Sequence, residues 1–208
     1  MKKERVLRVN NCDIHLVGVI HGLEREGERV KYIFEEINPG CIALGIPKED
    51  IATIKKFVDE GIEFDVLPEQ KRFFEILSHY GKVSIPPPDL VILYKLSEEE
   101  DIDLEAIDMD DEHYADIFTK KVSLISFIRN SRRNKKLLKR EFDFHSAEEF
   151  VEEWEKRYNS MKSFRAIEKA REENMASRLL SLSNKYEKIL AVIPYQRFNG
   201  VVDILSRY

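Results

Sequence analysis

Apolar residues along the chain alternate between two periods, and the switch between them outlines a fold. Arg5–Val9 and Asp13–Ile20 read as strands joined by an Asn10-Asn11 turn, a hairpin. Glu24–Ile37 carries Val30, Ile33, Phe34 and Ile37 at helical spacing, and Asn38-Pro39-Gly40 stops it. Cys41–Ile46 is a short apolar run bounded by turn residues, a buried strand. Lys48–Glu60 returns to the helical period with Ile51, Ile54, Phe57 and Val58 on one face. Strand, helix, strand, helix is the signature of a parallel sheet.

Further along, Leu67–Tyr80 predicts a helix, Gly81–Ile85 a short strand, and Pro86-Pro87-Pro88 a break before a helix over Asp89–Leu96. Leu104–Ile107 is a strand that ends at Asp108. A long helical region is expected over Asp110–Arg140, with Val122, Ile125 and Ile128 as its apolar points. A bend near Phe142–Ser146 leads into helices over Ala147–Asn159, opened by the capping box Ser146-Ala147-Glu148-Glu149, and Lys162–Leu182. Lys188–Ile193 is the last strand and Asn199–Ser206 a closing helix. The expectation is a single α/β domain over residues 1–208. A mostly parallel central sheet is flanked by helices, with a mainly helical insertion at 110–182 in the middle-to-C-terminal part. No repeat or low-complexity segment occurs.

Composition narrows the class. The chain has 208 residues, 43% hydrophobic and 35% charged, with a net charge of −5, a globular profile with charge above the usual quarter. Abundant Glu and Lys beside only two glutamines, Gln70 and Gln196, points to a thermophilic source. Cys12 and Cys41 make no disulfide framework and are expected as buried thiols of a reducing compartment. No apolar segment follows the charged start Met-Lys-Lys-Glu-Arg, and no run has the length of a membrane span. The protein is therefore expected in the cytoplasm, with no membrane partner. Net acidity argues against nucleic acid. Arg129–Arg140 holds seven basic residues and Glu141–Glu155 seven acidic ones; the two segments are expected to pair with each other or across a homodimer.

Candidate chemistry centres on Ile14–Gly22, Ile-His-Leu-Val-Gly-Val-Ile-His-Gly. A strand here delivers His21 to a turn before a helix, where open α/β sheets place their sites. His21 suits a metal ligand or a general base; a backbone-bonded structural histidine is the alternative. His15 lies about 20 Å along the same strand, so it cannot share a metal with His21. His79, His113 and His145 sit at no recognised ligand spacing, and no HExxH, CxxC pair, phosphate loop or nucleophile elbow occurs. Asp108-Met109-Asp110-Asp111-Glu112 combines a strand-end acid, Asp108, with three acids suited to a helix N-terminus. Arg171 and Glu172 lie on the helix before the last strand, and Arg197 and Asn199 follow that strand. Trp154 and Tyr158, one turn apart beside Met161 and Phe164, are expected to serve ordinary helix packing, with an apolar docking anchor as the alternative.

With these stretches in hand, the chain resembles the TraB/PrgY family, related to the Tiki metalloproteases. Ile14–Gly22 resembles its first Gly-x-x-His motif after a strand, and Asn38–Leu44 its second strand. Glu105-Ala106-Ile107-Asp108 resembles its strand ending in aspartate, Arg171–Ala176 its arginine helix, and Ala191–Leu205 its final strand, turn and helix. The resemblance implies a metal site of two Gly-x-x-His histidines and a glutamate. Here Gly45 stands in the glutamate's place and Arg197 in that of the second histidine. His21, Asp108 and Arg171 keep their types. The expectation is a divergent member, non-hydrolytic, that binds an anionic ligand, a peptide or a protein through His21, Arg171, Arg197, Asn199 and Glu172. Two alternatives stay open. One is a metal-dependent hydrolase, peptidase-like, in which His21 binds manganese, cobalt or zinc with Asp108 and an acid such as Glu24. The other is a homodimerisation or docking role for the helical region.

Overall fold

The computed structural model describes residues 3–63 and 66–208. Strands β1 (Lys3–Val9) and β2 (Cys12–Val19) form the expected hairpin. Its turn uses Asn10 and Asn11 at φ 51° and 65°, the paired left-handed conformation of a two-residue hairpin. Helix α1 (Glu24–Ile37) follows, then β3 (Cys41–Leu44), α2 (Lys48–Glu60), α3 (Pro68–Leu77), α4 (Pro88–Glu99) and β4 (Asp103–Ala106). The insertion comprises α5 (Asp111–Lys121), α6 (Leu124–Leu137), α7 (Ala147–Tyr158) and α8 (Lys162–Leu182); β5 (Lys188–Pro194) and α9 (Phe198–Leu205) close the chain.

The strands form one five-stranded sheet in the order β1-β2-β5-β3-β4. Only β1 runs antiparallel; β2, β5, β3 and β4 are parallel to their neighbours. The sheet is therefore mixed and mostly parallel, as the alternating pattern predicts. Strand β5 is central, and Ile189 to Pro194 are all buried, the continuous apolar run of a strand covered on both faces. Ile189, Ala191 and Ile193 face α8 and α9 through Met175, Leu179 and Val201. Leu190 and Val192 face α1, α2 and α4 through Val30, Ile54 and Leu93. A third apolar cluster lies beyond the strand ends, where Ile20, Leu23 and Tyr195 meet Ile76 and Leu77 of the α3 region and Phe150 and Trp154 of α7.

Three expectations are corrected. Gly81–Ile85 is not a strand: Val83 makes a single isolated bridge with Leu23, because Leu23 turns at once into α1 and leaves no edge to pair with. The helical region Asp110–Arg140 is two helices. Val122 is extended, and the Ser123 side chain caps α6 by accepting from the Ser126 amide at 3.2 Å. Helix α6 packs on α7, but among the described residues no ion pair joins the basic segment to the acidic one: Glu148, Glu152 and Glu153 of α7 bind Arg25, Lys3 and the pair Lys156 and Arg157. Trp154 has the helix packing expected of it. It is buried, packed on Phe73, Phe142 and Phe150 and stacked on Tyr158.

Candidate functional site

The parallel strands share one C-terminal edge, and the candidate residues gather along it because each follows the end of a strand. His21 follows β2, Asp108 follows β4, and Arg197 follows β5. Gly22 takes φ 99°, a conformation open to glycine at little cost, and so turns the chain from His21 into α1.

Among the described residues His21 makes no hydrogen bond to the other predicted residues, although the Arg197 charge acts on its imidazole. Its Nδ1 lies 2.7 Å from Oδ2 of Asp89, a fully buried carboxylate in the first turn of α4. The His21 Nε2 is buried and has no hydrogen-bond partner among the described residues. Burial opposes charge on this imidazole, but the Asp89 carboxylate and its hydrogen bond outweigh it and hold the His21 pKa above the ordinary value. Asp89 was not expected as a site residue. Its only sequence signal was an acid beside the triple proline, which reads equally as a helix-start residue.

Asp108 and Arg171 do meet. Arg171 Nε donates to both carboxylate oxygens of Asp108, at 3.2 and 3.0 Å, and its Nη2 also donates to Oδ2. Asp108 Oδ1 further accepts from the Met109 amide at 2.8 Å. Burial works against the Arg171 charge, but the bonds to Asp108 dominate and hold its pKa above the ordinary arginine value. Glu168, one turn before Arg171 on α8, bridges the two arginines: it lies 3.6 Å from Arg171 Nη1 and accepts from Arg197 Nη2. Glu168 is the second member that sequence reading missed, since a glutamate in a charged helix carries no distinguishing mark. Asp110 caps α5 by accepting from the His113 amide at 2.9 Å, the structural role expected for it.

Around Arg171 and Arg197 lies a cavity of about 590 Å³. Its apolar wall includes Phe73, Tyr114, Phe118, Trp154 and Tyr158, and its polar wall Asn130, Asn134, Glu155 and Gln196. Three buried polar atoms of its lining residues have no partner among the described residues: Arg197 Nε, Asn130 Oδ1 and Asn134 Oδ1. Burial raises the Glu155 pKa, with the Glu168 charge adding to the effect against Arg197. Glu172 and Asn199 open instead on a separate cleft of about 750 Å³, which Arg197 also lines. The Glu172 carboxyl packs against Gly200, and burial raises its pKa. Arg197 is thus common to both clefts, while Asn199 and Glu172 do not face the cavity of Arg171.

The residues suggested for a metal do not converge. Asp108 is held by Arg171, and Glu24 bonds Ser84 and Lys82 at the surface. Among the described residues no group of three His, Cys, Asp or Glu could hold a metal ion. At Gly45, an added Cβ would lie 2.6 Å from Pro194 Cδ and 3.2 Å from the Val192 oxygen, so the close approach of β3 to β5 excludes a side chain there. Comparison of the chain with protein-family models and with curated proteins finds no match.

Proposed function

We propose that this chain is a TraB-like cytoplasmic protein that binds rather than hydrolyses, and that it holds a small organic acid with an apolar body in the cavity between α6, α7 and α8. The observation that carries this reading is the composition of that cavity's wall. An aromatic lining and three unpartnered buried polar atoms surround a volume within the range of small-molecule sites. Buried polar atoms normally have partners. Arg197 Nε suits an oxyanion, and the Asn130 and Asn134 oxygens suit a ligand N–H or O–H. Arg171 and Arg197 are partly neutralised by Asp108 and Glu168, so a single negative charge fits better than a polyphosphate. The free, buried thiols of Cys12 and Cys41, pushed up by burial to about 11 and about 12, accord with a reducing compartment.

Thermal-shift measurements with aromatic carboxylates, phosphate and sulfate, followed by calorimetry, test the reading. An aromatic carboxylate is expected to raise the melting temperature, and Arg197→Lys and Asn134→Ala to weaken its binding. If none of these anions moves the melting temperature of the wild type, the proposal fails.

The His21–Asp89 pair favours a second reading, a hydrolase with His21 as general base. An aspartate that fixes Nδ1 leaves Nε2 to take a proton. A peptide library uncleaved with manganese, cobalt, zinc or no metal would remove it.

A further inference from the structure

Helix α6 has its polarity reversed. Its buried residues are Asn130, Asn134 and Leu137, whereas Leu124 and Ile125 are 73% and 70% exposed, and Phe127 and Ile128 are exposed as well. The same stretch is the most basic of the chain. Between Ile117 and Arg140 there are nine Lys and Arg and no Asp or Glu, in a protein of net charge −5. All nine are exposed, and among the described residues only Lys120 has an ion-pair partner, Asp116. At 3.6 residues per turn, Ile125, Ile128, Arg132 and Lys136 share one side of this helix. That side is apolar at the α5–α6 corner and basic beyond it. Next to it, Arg129, Arg132 and Arg133 line a shallow recess of about 390 Å³ with Ser160, Met161 and Lys162.

We propose that the α5–α6 corner docks onto an anionic phospholipid surface. Leu124, Ile125 and Ile128 enter the boundary between headgroups and acyl chains, and the arginines and lysines of α6 bind lipid phosphates. Apolar area combined with electrostatic attraction is what holds a peripheral helix on such a surface. No helix among the described residues is long and apolar enough to cross a membrane; lying on one needs no such length. The alternatives fit the surface less well. A symmetric contact with a second copy centred on α6 would set the basic run against itself. Protein docking sites favour Trp, Tyr and Arg anchors over leucine. Single-stranded nucleic acid uses aromatic platforms, to which an aliphatic tip adds nothing. The proposal is independent of the cavity reading.

Co-sedimentation of the full chain with vesicles tests it. Vesicles of phosphatidylcholine with phosphatidylglycerol are expected to pellet the protein, less so as salt rises, and vesicles of phosphatidylcholine alone are not. Arg132→Gln and Arg133→Gln should each weaken binding about fivefold. The double variant Leu124→Ser/Ile125→Ser should lose binding while its thermal melting stays at the wild-type value, since both side chains are exposed. Three results would overturn the proposal: no pelleting with phosphatidylglycerol vesicles, undiminished binding by the Leu124/Ile125 variant, which would mean charge adsorption only, or a solution dimer that this variant dissolves.

Discussion

His21 and Asp89 stand 68 residues apart in the chain and 2.7 Å apart in the fold, the imidazole donating from Nδ1 to a carboxylate with no solvent exposure. The pair ties the end of β2 to the start of α4. It makes the best-placed histidine of the chain a member of a dyad rather than of a ligand cluster.

The dyad makes stability depend on pH. The folded pKa of His21 lies above its ordinary value near 6.5, so its protonated form is favoured by folding. Its contribution is complete below the ordinary pKa and is lost as pH rises through the folded one. Urea denaturation of the wild type is expected to show this decline from slightly acid toward alkaline pH. Asp89→Asn should remove it, because the carboxylate that favours the charged imidazole is gone.

Removing one member of the dyad should be costly. His21→Ala leaves Asp89 buried with neither charge partner nor donor, and breaking a buried pair in this way costs roughly 3–5 kcal/mol. Denaturant titration at slightly acid pH measures it. A loss well under 1 kcal/mol would mean that the pair contributes little to stability.

The Asp108–Arg171 pair should outweigh the nearby pair Arg178–Glu105, although both join α8 to the β4 segment. Asp108 is buried and bonded by both Nε and Nη2, whereas Arg178 is half exposed and holds Glu105 at 3.2 Å. Asp108→Ala is expected to cost about 3–5 kcal/mol, and Glu105→Gln less than about 1 kcal/mol. Parallel urea titrations of the two variants compare them.

Gly45 should tolerate no side chain. A Cβ 2.6 Å from Pro194 Cδ and 3.3 Å from Ile193 Cα must part β3 from β5, and overpacking of this kind costs about 1–3 kcal/mol. Gly45→Ala should therefore lower the melting temperature. Gly45→Glu should fail to create a metal site even in an Arg197→His background, as calorimetry with zinc or manganese would read.

Metal-stripped wild type is expected to bind manganese, cobalt or zinc no more tightly than His21→Ala does, because Asp108 and Glu24 are engaged elsewhere. Calorimetry that finds micromolar binding abolished by His21→Ala would revive the hydrolase reading.

Much of this architecture was legible along the chain. The hairpin at Asn10-Asn11, the stop at Asn38, the buried run of β5 and the Asp110 cap each follow from chemistry within one turn or one strand, where period, cap and breaker act on near neighbours. The strand-end placement of His21, Asp108 and Arg197 follows as well, since parallel strands bring their C-terminal ends to one edge. The failures were of another kind. Val83 lies in an apolar segment that lacks a neighbour to pair with. The Ser123 cap breaks a helix whose apolar spacing runs on across it.

By itself, then, the sequence determined the fold class, the edge of the sheet that carries the polar residues, and the absence of a second Gly-x-x-His motif. Only the tertiary structure decided that His21 pairs with Asp89, that Glu168 bridges Arg171 and Arg197, and that α6 buries asparagines and exposes leucine and isoleucine. Periodicity reports which face of an element is apolar. It does not report what stands opposite that face, and an ion pair between residues more than sixty positions apart exists only once helices and sheet are packed.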